Sequence, residues 1–197
     1  MMLLVLALAA ASGRPLFYWG SRPAVITAEA SALPNDEAQV TEVHAALDKT
    51  GPVLRFTFDR PVAEAIRLPD GSPVSGRLRA VLYLDADDDR SSGLDQGGRD
   101  LRTGADLRLE IGVVTVAADP EEKRAAAALI TATLASLAAD GRRRTLWRAD
   151  DAAAPASVSG HGEWLELRLP AEHARLAPRA RLILSAGERS WDGRIAP

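Results

Sequence analysis

Apolar and polar residues alternate with a period of two along most of this chain. That period places alternate side chains on opposite faces of a half-buried strand. In Val53-Leu54-Arg55-Phe56-Thr57-Phe58, the residues Leu54, Phe56 and Phe58 share one face and Arg55 and Thr57 the other. Val40 to Leu47 precedes them across an Asp48-Lys49-Thr50-Gly51-Pro52 turn, so the two runs predict a hairpin. Further alternating runs carry Leu78, Ala80, Leu82 and Leu84, then Leu107, Leu109, Ile111 and Val113, then Leu165, Leu167 and Leu169. A last short run spans Ala180 to Ala186.

Helix signals are sparse. Asp119 as an N-cap, Pro120 and the acids after it predict a short helix at about 120–127. Ala128 to Leu137 is open between strand and helix. Its alanines and leucines suit a helix, whereas Ile130, Thr131 and Thr133 and the Asp140-Gly141 turn suit a hairpin. Ala171 to Leu176 has room for one or two turns. Some eight short strands with little helix predict a mainly β fold, an antiparallel immunoglobulin- or jelly-roll-like sandwich with one short helix. An open barrel of the same strands is the alternative.

The first eleven residues are unbroken in their apolar character, from Met1 to Ala11, and Ser12-Gly13 follow. The run matches the apolar core of a secretory signal, with Ala9-Ala10-Ala11 as small residues for cleavage, although no Lys or Arg precedes it. Arg14-Pro15 interrupts the run well short of the ~20 residues of a spanning helix. The expected organisation is a signal-like segment at 1–11, a linker or N-terminal extension at 12–38 rich in Pro and small residues, and a sandwich domain at 39–197. A periplasmic or secreted location follows, with membrane attachment only where the N-terminal segment stays uncleaved.

Composition narrows the chemistry. The chain of 197 residues is 47% hydrophobic, enough for a sizeable core. Its formal charge of -3 gives no basic excess, which argues against nucleic acid as a partner. The absence of Cys excludes disulfides, thiol nucleophiles and Cys-ligated metals.

Negative charge gathers in one place. Between Asp85 and Asp106 the sequence DADDDRSSGLDQGGRDLRTGAD holds seven Asp against three Arg, a local formal charge of -4. Asp85, Asp87 and Asp89 stand at alternate positions, as carboxylates do in calcium loops. An EF-hand is excluded, because Arg90 occupies the place of its turn glycine and Gln96 that of its bidentate Glu. Asp95, Asp100 or Asp106 would then close the ligand shell from the far side of the loop. The competing reading is a solvated turn, its acids neutralised by Arg90, Arg99 and Arg102.

A strand ending in Asp85, an Asp-rich Ser-Gly loop, and Gly104-Ala105-Asp106 opening the next strand together resemble exported bacterial β-sandwich domains. These are the family 9 carbohydrate-binding modules and the related DOMON-like domains, and the resemblance spans about residues 40–116. It implies a non-catalytic sandwich with a calcium-dependent loop, sometimes with a sugar- or haem-binding face. Asp85, Asp87 and Asp89 are the positions it marks as ligands. Haem is not expected, because the cytochrome-type DOMON domains that the chain resembles use a Met/His pair, and both Met lie in the removable N-terminal segment. For a glycan, Trp147, Trp164 and Trp191 are the available stacking residues, although a Trp in a small sandwich is commonly buried.

Other constellations are thin. His44, His161 and His173 lack zinc-ligand spacing, and no nucleophile elbow, phosphate loop or dinucleotide fingerprint occurs. Arg142-Arg143-Arg144 follows a turn and reads as a charged tip that discourages edge pairing. The sequence therefore predicts an exported, non-catalytic binding module with a structural Ca²⁺ and a glycan or surface-protein partner. The alternatives are a metal-dependent hydrolase using the same loop, and an accessory or scaffold domain without a small ligand.

Overall fold

In the computed structural model, residues 15–28, 38–60, 79–94, 104–116, 127–149, 157–161, 163–186 and 189–195 are described. They form eleven strands: β1 (Ile26–Thr27), β2 (Val40–Asp48), β3 (Gly51–Phe58), β4 (Arg79–Asp85), β5 (Leu107–Val116), β6 (Ala127–Leu137), β7 (Arg143–Arg148), β8 (Ser157–His161), β9 (Trp164–Arg168), β10 (Arg181–Ala186) and β11 (Arg189–Arg194). One sheet has the order β1-β2-β3-β9-β8 and the other β11-β10-β4-β5-β6-β7. Every pairing is antiparallel. The mainly β sandwich read from the alternation is thus the architecture observed.

The two-residue period explains the core. Leu54, Phe56 and Phe58 of β3 and Leu165 and Leu167 of β9 meet Ala80, Leu82 and Leu84 of β4, Leu109 and Ile111 of β5, and Leu182 and Leu184 of β10. Each of these is buried, and burial of a Leu or Phe side chain contributes roughly 1.5–3 kcal/mol. Ala127–Leu137 is strand and pairs with both β5 and β7, which settles the helix-or-strand alternative. Cross-strand partners for its β-branched residues outweigh the helix propensity of its alanines. The helix expected at about 120–127 falls outside the described residues up to 126, and Ala127 already belongs to β6. At 171–176 a turn replaces helix, closed by the His173 and Ala174 N–H groups donating to the Pro170 carbonyl.

Part of the stretch read as an extension lies against the first sheet. Trp19 is buried on the outer face of that sheet with Ala46 and Val53, flanked by Leu16 and Phe17. Its indole Nε1–H and the Leu16 backbone N–H each donate to the carboxylate of Glu166 on β9 at 2.5 Å. Arg55 of β3 completes the cluster with its Nη2 2.7 Å from Glu166 Oε1.

Candidate metal centre

The chain from the end of β4 to the start of β5 makes the acidic corner. Leu84 and Leu107 pair across the two strands, so Asp85 and Asp106 emerge side by side where the ladder ends. The Asp106 N–H donates to the Leu84 carbonyl, and an isolated bridge joins Leu94 to Ala105. Between them the chain turns sharply, with Asp88 at φ 61° and Gly93 and Gly104 also left-handed. A Cβ on Gly104 would lie 2.6 Å from the Asp89 carbonyl oxygen, so only glycine lets the loop close there.

This geometry brings Asp85, Asp87 and Asp106 together, with one carboxylate oxygen from each within 4.8 Å of the others. Asp85 is fully buried, Asp106 partly so, and Asp87 exposed. Neither carboxylate oxygen of Asp85 has a hydrogen-bond partner. Burial first, then the charges of Asp106, Asp87 and Asp88, raise its pKa to about 6, against the pull of the nearby Asp88 backbone N–H, which does not form a well-made hydrogen bond with it. Burial likewise pushes Asp106 upward, against the pull of the Ala86 N–H.

The flanking carboxylates are held by backbone amides. Asp87 Oδ1 accepts from the Asp89 N–H at 2.8 Å, and Asp106 Oδ2 accepts from the Ala86 N–H at 2.9 Å. Ser92 Oγ lies 2.9 Å from the Asp89 carbonyl oxygen, 3.1 Å from Asp87 Oδ2 and 3.3 Å from Asp106 Oδ1. A single hydroxyl proton can serve only one of them at a time. Buried carboxylates without donors or cations are costly, and three facing one another are more so. A divalent cation is the group that such an arrangement could hold, through hard oxygen ligands.

The other acidic residues have different positions. Asp89, expected as a third alternate ligand, is exposed and outside the cluster. Its Oδ1 is engaged by the Ser91 N–H and hydroxyl at 2.9 and 2.7 Å, which lowers its pKa. The turn at Asp88 rotates the chain, so the alternation of a flat strand does not continue to Asp89. Asp106 fills the third place from the far side of the loop. Asp95 and Asp100 lie outside the described residues. Asp88 bonds Arg194 Nη1 on β11.

The tryptophans do not form one surface. Trp147, a candidate stacking residue, is 2% exposed within the core, so it offers no platform to a ligand. Its place on β7 turns it inward against Leu134 of β6. Trp191 is partly buried against the same core. Trp164 is half-buried and its ring is covered by the Arg55 guanidinium, 4.6 Å from the centroid. Sequence reasoning overlooked Ser92, Asp88 with Arg194, and the Glu166 cluster. Glu166 reads as an outward polar residue of an alternating strand, and only the Leu16–Trp19 segment lying over it gives it partners.

Fold and site define a mainly β, two-sheet sandwich with an Asp cluster at one corner that could bind a metal ion. Comparison of the chain with protein-family models, curated proteins and solved structures finds no match.

Proposed function

We propose that this chain is an exported, non-catalytic binding module whose Asp85–Asp87–Asp106 corner is completed by a structural calcium ion, and whose partner is a glycan. The observation that carries the reading is Asp85, a fully buried carboxylate with two unpartnered oxygens aimed at two further carboxylates. Calcium suits the corner better than magnesium. The donors are carboxylates on a loop, and Ca²⁺ accepts six to eight oxygens in adaptable geometry, whereas Mg²⁺ demands a near-ideal octahedron and retains its waters. The ion would tie the end of β4 to the start of β5, the role that the resemblance to calcium-dependent sandwich modules also suggests.

Thermal unfolding in EDTA and in millimolar CaCl₂ tests it. At a hundredfold excess over Kd the ion adds about 2.7 kcal/mol. For a domain of this size that is a rise of about 5–10 °C in midpoint. MgCl₂ should give a smaller rise. Coincident curves in EDTA and CaCl₂ would leave the corner as solvated surface and remove the reading.

A further inference from the structure

The cluster is lopsided, and the asymmetry bears on what an ion there would do. Asp85 closes the inner side completely, while Asp87 on the outer side is exposed. With one oxygen of Asp87 and one of Asp106 tied to backbone amides, the oxygens most available to an ion are both of Asp85, Asp87 Oδ2 and Asp106 Oδ1. Ser92 Oγ, lying against both of the latter, makes a fifth donor. Calcium takes six to eight. One to three positions therefore remain, and they face the exposed Asp87 side.

Charge selects what can fill them. Three carboxylates outweigh one divalent cation by a single negative charge, and Asp89 adds another nearby that no cation pairs among the described residues. A phosphate or carboxylate ligand would meet that excess negative charge. A neutral ligand offering two adjacent oxygens would not. We propose that the open positions take a pair of adjacent hydroxyl groups of a neutral sugar, so that the ion itself is the recognition element for carbohydrate. The inference rests on the calcium reading above. It moves the glycan site from the tryptophans, which the fold scatters between core and Arg55, to the acidic corner.

The test uses the full chain with calcium saturated, and the calcium-induced rise in melting midpoint is recorded on the same preparation. Methyl α-D-mannoside and methyl α-D-galactoside, which present the two common geometries of adjacent hydroxyls, are titrated calorimetrically. Their fully O-methylated forms and inorganic phosphate serve as controls. At least one free glycoside should bind with a Kd on the order of 1 mM, and EDTA or Asp87→Asn should weaken it by more than about tenfold. With Tb³⁺ in place of Ca²⁺, luminescence lifetimes in H₂O and D₂O count the waters on the ion, and the bound glycoside should displace about two. An ion with a purely structural role would keep its waters. A melting rise without sugar binding, sugar binding that survives EDTA, unchanged hydration, or binding of phosphate instead would each overturn the proposal while the calcium reading stands. Loss of the melting rise itself would overturn both.

Discussion

Asp85 and Arg181 stand directly opposite each other in the β4–β10 pairing, yet they are not partners. The Arg181 guanidinium turns along its own hairpin to Asp192, with its Nε at 2.9 Å and Nη2 at 2.7 Å from Asp192 Oδ2. An acid and a base placed across an antiparallel ladder ordinarily attract each other. Here the base is engaged elsewhere, and Arg194 at the end of β11 goes to Asp88. The charge on Asp85, Asp87 and Asp106 is thus left without a protein cation among the described residues. That is the arrangement expected where a metal ion supplies the positive charge.

The raised pKa of Asp85 sets a direction for stability against pH. Its value is about 6 in the fold against 3.8 as the ordinary carboxylate, so between these the native state holds a proton that the unfolded chain has lost. Stability from this group is complete below about pH 4 and is lost as pH rises through 6, a change of about 2–3 kcal/mol. In EDTA, urea unfolding from pH 4.5 to 7.5 should show wild type losing stability relative to Asp85→Asn, which has no such proton to lose. Parallel profiles would contradict it.

Calcium should reverse that order. At pH 7.5 the metal-free wild type carries an unpaired buried charge that Asp85→Asn lacks. With CaCl₂ present the same charge becomes a ligand, and wild type should gain about 2.7 kcal/mol at a hundredfold excess over Kd while the variant gains little. Chemical denaturation of both proteins with and without calcium gives the four values needed. Equal gains in the two proteins would place the ion elsewhere.

The loop's closure depends on Gly104. At φ 60° with the Asp89 carbonyl where a Cβ would sit, Gly104→Ala must open the turn that brings Asp106 towards Asp87. Alanine at an incompatible position destabilises by more than about 1 kcal/mol. Calcium affinity should fall as well, whereas Gly141→Ala, also at positive φ but with open space around it, should leave affinity unchanged. Calorimetric titration of the two variants separates the cases.

Glu166 fastens the N-terminal segment. It is fully buried and accepts from Arg55, Trp19 and the Leu16 backbone, while Arg168 donates to the Leu16 carbonyl at 2.9 Å. Glu166→Gln leaves Arg55 without its counter-charge and should cost about 3 kcal/mol. Chymotrypsin should then cut faster after the exposed Tyr18, in the segment that Glu166 holds. Glu42→Gln, which removes a half-exposed contact with His44, should change neither.

The fold was readable because alternation is a local property. Leu54, Phe56 and Phe58 declare their face within six residues, and the hairpin partner β2 is the strand just before them. Ala127–Leu137 was ambiguous for the opposite reason: its alanines suit either backbone, and β5 and β7 decide the outcome. At the site, Asp85 and Asp87 were legible from spacing, whereas Asp106 was only one of three acids, with Asp95 and Asp100, placed to close the loop from its far side. Asp89 misled, since one residue at positive φ ends the alternation and sequence spacing does not reveal it. Trp147 could not be assigned a face without knowing the register of β6 and β7, which shifts between Leu134 and Ala135. The Glu166 cluster joins residues 16, 19, 55 and 166, a long-range meeting no local pattern encodes.

The central claim is that Asp85, Asp87 and Asp106 bind one divalent ion, and counting ions tests it most directly. The protein would be stripped with EDTA, dialysed against buffer with millimolar CaCl₂, and its bound calcium in excess of the dialysis buffer measured by elemental analysis alongside Asp87→Asn and Asp106→Asn. The account predicts one calcium per wild-type chain and close to none in either variant, with all three folded by circular dichroism. Wild type emerging without calcium, or the variants retaining it, would contradict the account.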